Sequence, residues 1–381
     1  MRNSLASNAF TVVIVLLLFL STLIGWVQVK YKASGGLDKP ICFKVGPGEN
    51  IESVSNSLKI EKLIDNPLIF RLGANYTKKS LYLKAGSFLI QEKSSMRDIV
   101  ELITGVGQNT CGKEVLYQVG INSQKVTLRE LNPETKEYDE ILKFDIKKDS
   151  KPDQYKNILS EKGVRYRIVF AEGISSWQIA EALKSSDFLT GEITSLPSEG
   201  SLAPRSYEVQ YGMDRLLLID QMQSEQIKIL NTAWNTKDPS SPLKTVNEAL
   251  VLASIIEKET GLASERHIVA SVFTNRIKKG MKLQTDPSVT YGITKGQKFL
   301  GRGLSKSDLK LNTPYNTYIH RGLPPTPITN PGRLAIEAAL NPEKTDYLYF
   351  VADGSGGHAF SKSLKGHNKN VREWRKLKKN N

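Results

Sequence analysis

The chain has 381 residues, enough for more than one folded unit, and its 39% hydrophobic and 24% charged residues are globular proportions, which excludes disordered and fibrous classes. Its 53 basic against 39 acidic residues give a net charge of +14. That balance favours a polyanionic partner and leaves nucleic acid, anionic lipid and a carboxylate-rich wall polymer open.

Residues 10–29 form an apolar run from Phe10 to Val29, interrupted only by Thr11, Ser21, Thr22 and Gln28. At about 1.5 Å per residue such a helix spans a hydrocarbon core of about 30 Å. The run is longer than the apolar part of a secretory leader, and no A-x-A site follows Trp26. It reads as an uncleaved single-pass transmembrane helix with residues 1–9 as a short tail, cytoplasmic if the remainder is exported. Arg2 precedes the span while Lys30, Lys32 and Lys39 follow it, so the positive-inside rule assigns no orientation.

A linker over 30–40 leads to a strand at Ile41 to Val45, a turn at Gly46, Pro47 and Gly48, and a helix capped by Asn50. The pattern returns later: Gly48, Asn50, Val54, Leu58 and Lys59 match Gly173, Ser175, Ile179, Leu183 and Lys184, which follow a strand at Arg165 to Phe170. A looser copy sets Ser95, Ile99 and Ile103 after a strand at Ser87 to Ile90. Each is a strand-turn-helix unit with an N-capping Asn or Ser. The two cysteines, Cys42 and Cys111, either bridge in an exported domain or remain thiols.

Residues 111–163 read as a β-rich insertion, with alternating segments at Val115 to Val119, Lys125 to Leu131 and Ile141 to Ile146. A long helix is predicted from Pro204 to Thr236 on the stripe Leu216, Ile219, Met222, Gln226 and Ile229, ended by Pro239 and Pro242. A second helix covers Val246 to Gly261, with Gly261 as its stop. At about 100° per residue, Leu252, Ile255, Ile256 and Glu259 share one face, whereas Glu257 points about 140° away from Leu252. Glu259 thus continues an apolar stripe. Losing hydration there should raise its pKa, the condition for a general acid, unless it pairs with Arg266 or Arg276.

Downstream lie Gln284, Thr285, Asp286, Pro287 and Tyr291, then Thr313 to Tyr318, a turn at Gly322 to Pro325, and a strand at Tyr347 to Val351 leading to His358. Tyrosines beside amides suit a sugar cleft, because flat rings stack on pyranoses while amides bond hydroxyls. The candidate substrate ligands are Gln284, Asp286, Tyr291, Tyr315, Asn316, Tyr318 and His358. Gly354 to Gly357 lacks the Lys-Ser/Thr of a phosphate cradle, and the histidines show no metal-ligand spacing, so neither cofactor nor metal is expected. Ser241 to Lys244 and Ser307 to Lys310 match S-x-x-K without its companion motifs. In the basic tail, Trp374 and Leu377 indicate a docking helix, and no nucleic-acid partner is expected.

The segments L-A-S-I-I-E-K-E-T (252–260), A-S-E-R (263–266), S-V-F-x-N-R (271–276), L-Q-T-D-P-S-V-x-Y-G (283–292), P-Y-N-T-Y (314–318), G-L-P-P (322–325) and Y-F-V-A-D-G-S-G-G-H-x-F (349–360) resemble the endolytic murein transglycosylases of the YceG-like family. The resemblance implies an α+β protein with an inner-membrane anchor, a small LysM-like subdomain over 41–110 and a mixed α/β catalytic domain over 164–381 in the periplasm. It further implies non-hydrolytic cleavage of the MurNAc-GlcNAc β-1,4 bond inside peptidoglycan glycan strands, leaving 1,6-anhydroMurNAc ends. Glu259 is the implied catalytic residue, since its Glu-Thr pair resembles the Glu-Ser pair of other lytic transglycosylases, with Glu257 as the alternative. Peptidoglycan synthases are possible partners, and a non-enzymatic wall-binding scaffold is the competing reading. Two features depart from the family: Arg205 and Ser206 stand before Tyr207 in the Glu199-Gly200 to Tyr207 element, and the 111–163 insertion is long.

Overall fold

The computed structural model describes residues 2–46, 48–105, 110–161 and 163–380; Pro47 of the expected turn lies outside the described residues. The fold is α+β and separates into two compact units, Met1–Val115 with Thr127–Lys143 and Lys151–Arg165, and Leu116–Val126 with Phe144–Ser150 and Tyr166–Asn381.

The first unit opens with helix α1 (Arg2–Lys32), which extends beyond the apolar run at both ends. Its segment Thr11–Lys32 is long and apolar enough to cross a membrane. Strand β1 (Ile41–Val45) pairs antiparallel with β2 (Gly86–Ile90), from Ile41↔Ile90 to Val45↔Gly86. Between them run α2 (Ile51–Ile60) and α3 (Pro67–Tyr76), and α4 (Met96–Thr104) follows β2. The expected caps are in place: Asn50 Oδ1 accepts from the Glu52 and Ser53 amides at 3.0 and 2.9 Å, and Ser95 forms a capping box with Asp98. Val54, Leu58, Ile99 and Ile103 are fully buried beneath them. Helix α3 escaped the sequence reading although Asn66 caps it and Pro67 opens it, a standard start signal. Its Ile69, Phe70 and Ala74 close the core of this unit.

Cys42 and Cys111 form a disulfide across a sequence separation of 69. The insertion supplies β3 (Lys113–Val119), β4 (Gln124–Leu131), β5 (Tyr138–Asp145) and a short helix α5 (Asp153–Leu159) that was not anticipated. Next come β6 (Arg165–Phe170) and α6 (Ser176–Lys184), the latter capped by Ser175 as expected. The strands β7 (Leu189–Thr190), β8 (Ser206–Val209) and β9 (Met213–Asp214) follow. One five-stranded sheet has the order β5-β4-β3-β6-β8, and β7 pairs in parallel with β9.

The helix predicted over Pro204 to Thr236 is corrected. Its first third holds strand β8, in which Tyr207 and Val209 point inward while Ser206 and Glu208 stay exposed, a two-residue alternation that overrides helical spacing. Gly212 at φ +79° turns the chain, Asp214 caps the next helix through the Leu216 amide at 2.7 Å, and α7 occupies Arg215–Trp234. It stops ahead of both prolines.

Helix α8 (Val246–Glu259) is the centre of the second unit. It packs against α7, α9 (Arg266–Lys278), α10 (Asp286–Thr294) and α11 (Arg333–Leu340). Every residue from Ala249 to Ile256 is buried, more than two full turns, so this helix has no solvent face over that stretch. The hairpin β10 (Tyr349–Ala352) and β11 (His358–Ser361) is followed by α12 (Leu364–Asn380), whose His367 stacks on Tyr349 at 5.3 Å. Trp374 is half-buried, and Leu377, though largely exposed, lies against Gly354 of the β10–β11 turn.

Replacing both Cys42 and Cys111 by Ser should cost about 2–4 kcal/mol of stability by freeing the closed loop in the unfolded chain. A thermal melt of the full chain reads this as a lowered Tm. An unchanged Tm, or two titratable thiols in the unmodified protein, would contradict the bridge.

Candidate active site

Thr245 and Glu248 start α8 with a capping box, and the helix ends at Glu259 rather than at Gly261. The stop is Thr260, in extended conformation at φ −140° and ψ 131°, and not a left-handed glycine. Glu259 therefore sits in the last turn, where unpaired carbonyls make the helix end negative and disfavour a carboxylate.

Glu259 as a residue is only half-buried, while its carboxyl group is walled by neighbours. Burial pushes its pKa up to about 7, and the charge of Asp286 adds to the rise. Opposing them are a hydrogen bond from the Thr285 hydroxyl to Oε1 and the nearby positive charges of His358 and Arg276. Neither arginine considered as a partner forms an ion pair with it. Arg276 spends its guanidinium on the carbonyls of Leu348 at 2.7 Å and Leu283 at 2.5 Å, and Arg266 turns to Glu257 and Glu172.

Helical spacing puts Glu257 on a different face from the apolar stripe, and in the structure that face is covered too. The Glu257 side chain is only 5% exposed, it accepts the Gly332 amide at 2.8 Å, and Arg266 lies 3.7 Å away. Burial raises its pKa too, while the Gly332 bond and Arg266 oppose the rise. The two glutamates thus differ in partners more than in depth: Glu257 is tied to backbone and guanidinium, and Glu259 meets one hydroxyl.

Residues from two loops frame Glu259. Thr317 holds the first of them, accepting the Thr285 amide at 3.0 Å on its hydroxyl and the Gln284 amide at 3.2 Å on its carbonyl. Gln284 adopts φ +50°, unusual for a non-glycine residue, and is exposed beside the site. Asp286, also exposed, accepts the Tyr318 hydroxyl at 2.6 Å, and burial together with that carboxylate pushes the phenol pKa upward. Asn316 does not serve as expected. It is fully buried, its amide nitrogen donates to the carbonyls of Leu309 and Leu311, and its Oδ1 accepts the Tyr318 amide at 2.9 Å. It shapes the loop that carries Tyr318 and leaves no polar atom for a ligand.

His358 is held on both sides by Glu265, through Nδ1 at 2.7 Å and its own amide at 2.8 Å, and its ring stands edge-on to Phe350 at 5.1 Å. Tyr291 and Tyr315 pack together at 4.9 Å, with the Lys295 ammonium 4.1 Å from the Tyr315 ring. Tyr291 bonds the buried Glu199, which in turn accepts the Ser176 amide at 2.8 Å. The Glu199 element is therefore built into the scaffold, and its Tyr207 hydroxyl closes on the Ala203 carbonyl at 2.8 Å. Tyr291, Asp286, Lys258 and Phe299 line a cleft of about 370 Å³. No cluster of three or more His, Cys, Asp or Glu side chains suited to a metal occurs among the described residues.

Sequence reasoning missed two roles. Thr285 stood in the cluster already noted, but nothing local marks it as the donor to Glu259; Glu265, in the A-S-E-R segment, meets His358 only after folding.

The YceG-like family matches residues 142–373 of the chain. The chain is 43% identical over 175 residues to the endolytic murein transglycosylase of Bacillus subtilis (strain 168), covering 45% of this chain and 47% of that protein. It is 29% identical over 344 residues to the endolytic murein transglycosylase of Streptococcus pneumoniae serotype 2, covering 88% of this chain and 58% of the relative. The chain thus spans about half the length of these curated relatives. A crystal structure of a yceG-like protein from Listeria monocytogenes, 26% identical, aligns over 87% of this chain and 99% of that one with a TM-score of 0.45.

The elevated pKa of Glu259 has a stability signature. The group stays protonated in the folded chain to about pH 7 but ionises near 4.5 when unfolded, so its contribution is full below that lower value and is lost as pH rises through 7. Glu259→Gln removes this loss. Its Tm relative to the unmodified chain should rise between about pH 5 and about pH 8. A difference that stays constant with pH would mean that Glu259 titrates normally.

Proposed function

The chain belongs to the YceG-like family, and from that premise we propose that it is a lytic transglycosylase of peptidoglycan in which Glu259 acts first as acid and then as base. The observation that carries this reading is the Glu259 carboxyl group, raised to a pKa of about 7 by burial, bonded by Thr285 and set beside Asp286. A group with that pKa is protonated and ionised in comparable amounts near neutrality, so it can give a proton and take one back.

In the proposed reaction, protonated Glu259 transfers its proton to the glycosidic oxygen as the bond from that oxygen to MurNAc C1 breaks. The GlcNAc hydroxyl departs. The Glu259 carboxylate then removes the proton from the MurNAc C6 hydroxyl, whose oxygen bonds to C1 and closes the 1,6-anhydro ring. Protons balance, Glu259 returns to its starting form, and no water is consumed. One carboxylate suffices because the nucleophile belongs to the substrate and is already within reach of C1. The negative charge of Asp286 offsets positive charge developing at C1, and Gln284 and Tyr318 offer hydrogen bonds to the sugar beside it.

The wider assignment follows the same premise. Helix α1 serves as a single-pass anchor in the cytoplasmic membrane, with residues 1–9 inside and the remainder on the side where peptidoglycan lies, the periplasm of a cell with two membranes. The Cys42–Cys111 bridge supports export, since such bonds persist in oxidising compartments. Residues 41–110 form a LysM-like subdomain whose strand-turn-helix units support glycan binding, and 164–381 form the catalytic domain. The net charge of +14 favours approach to a polymer bearing peptide carboxylates. Peptidoglycan synthases would share the membrane surface as partners.

Glu259→Gln should lower release of anhydro-muropeptides by about 10²–10⁴-fold while the chain stays folded. Glu257→Gln should instead cost about 1–3 kcal/mol of stability, by loosening the Gly332 and Arg266 contacts, and keep most activity per folded molecule. The reverse pattern would move the catalytic role to Glu257. Mass spectrometry of the digest separates the mechanisms. Products ending in reducing MurNAc, heavier by one water, would make Asp286 the partner in a hydrolase, and binding without cleavage would make the chain a scaffold. Thr285→Val removes a bond that holds the Glu259 pKa down, so the alkaline limb of the pH–rate profile should move upward; a limb that stays in place would detach Thr285 from the chemistry.

A further inference from the structure

Within the first unit, the apolar span does not end in a free linker. Tyr31, two residues beyond the last apolar position of the 10–29 run, is buried, and a Cβ at Gly73 of α3 would collide with its ring. Its hydroxyl meets the Thr77 side chain, and Val27 packs against the same core. The chain beyond is strapped down as well: the Gly35 amide donates to the Lys93 carbonyl at 3.2 Å and the Lys93 amide to the Leu37 carbonyl at 2.9 Å. At about 1.5 Å per residue, the surface that grips Tyr31 lies within about one helical turn of the end of the span, which is the depth of the lipid headgroups.

At that level α3 carries an unpartnered apolar face. Leu68, Leu72 and Tyr76 recur every four residues and are all exposed, Tyr76 by 85%, beside the inward-facing Ile69 and Gly73. The 3₁₀ turn Lys79–Tyr82 adds Leu81, 82% exposed, and Tyr82. A soluble surface rarely gathers such a patch without a partner. Residues 67–84 contain Arg71, Lys78, Lys79 and Lys84 and no Asp or Glu; Arg71 meets Glu52 at 2.8 Å and Lys79 meets Glu101 at 3.4 Å, so part of this positive charge is answered within the unit. Leucines with tyrosines among lysines are what the boundary of an anionic bilayer accommodates, since the apolar bodies enter the acyl edge, phenols sit at headgroup depth and ammonium groups reach phosphates.

We propose that α3 and the following 3₁₀ turn form a second membrane contact, seated shallowly in the anionic surface of the bilayer that α1 crosses. The proposal rests on reading α1 as a retained anchor. With two contacts, the first unit is fixed in height and tilt at the membrane instead of swinging on a tether.

The test uses the full chain with its disulfide intact, in nanodiscs of phosphatidylcholine and phosphatidylglycerol, with a nitroxide on single cysteines introduced as Leu17→Cys, Leu72→Cys, Tyr76→Cys, Leu81→Cys and, at an exposed turn, Thr135→Cys. Collision rates are measured with oxygen, which concentrates in lipid, and with a water-soluble nickel complex. Labels at 72, 76 and 81 should show several-fold lower nickel collision than the label at 135 while retaining high oxygen collision, and replacing the anionic lipid by phosphatidylcholine should raise nickel collision at all three. High nickel collision at these sites would leave the patch in water and overturn the proposal. Low collision with both reagents would mean that protein covers it, a second copy included, and would overturn it equally. The label at 17 reports separately: if it lacks lipid-like oxygen collision, the anchor itself is wrong.

Discussion

The carboxyl group of Glu259 is charged only at a cost, and that cost is set by the helix that ends on it. Helix α8 is enclosed by four other helices as far as Ile256, and Glu259 and the buried Thr260 come just before the chain reaches the surface at Gly261. A side chain at that terminus feels desolvation and the negative helix end together, and both favour the protonated acid. The neighbouring loops build on this constraint. Thr317 holds Thr285 against Glu259, and Asn316 gives up its entire amide to present Tyr318, which reaches back to Asp286.

Two glutamates two positions apart show how a single helix separates structural from chemical work. Glu257 is neutralised in its surroundings by an amide and a nearby guanidinium, an arrangement that holds α8, α9 and the start of α11 in register. Removing either partner there would strand a buried polar group, so the site is stabilising and chemically quiet. Glu259 meets a neutral hydroxyl and is only half-buried as a residue. Its proton is therefore exchangeable, which is the property the proposed transglycosylase reaction uses twice.

The same logic of enclosure appears in the first unit with a different solvent. Its core is complete around β1, β2 and the three helices, yet α3 keeps a row of apolar side chains outside that core, next to the end of α1. Burial inside protein determines the acid, and the proposed burial in lipid determines where the first unit stands. Basic residues in both settings do modest work individually: surface pairs such as Arg71 with Glu52 and Lys79 with Glu101 are screened by salt, and the positive charge of 67–84 matters as a sum.

Local signals in the amino-acid order were enough to define the apolar helix, strands β1 and β6, the caps at Asn50, Ser95 and Ser175, and the extent of α8 to within two residues, because caps and period-two or period-3.6 burial are written in neighbouring residues. The family motifs, dense after residue 246, marked the segments that gather at the site. Other features were settled only by tertiary packing. Strand β8 replaced the predicted start of α7 because its alternation acquires meaning once β6 lies beside it, from Tyr166↔Val209 to Val169↔Ser206. Helical spacing separated Glu257 from Glu259 but left the environment of the former open, since a wheel records faces and not what covers them. Asn316 looked like a sugar ligand and proved to be a loop brace, and Glu265 became the partner of His358 across 93 positions of chain. Hydrogen-bond partners distant in sequence leave no local trace, so the protonation of Glu259, and with it the proposed chemistry, depends on neighbours that only the folded chain brings together.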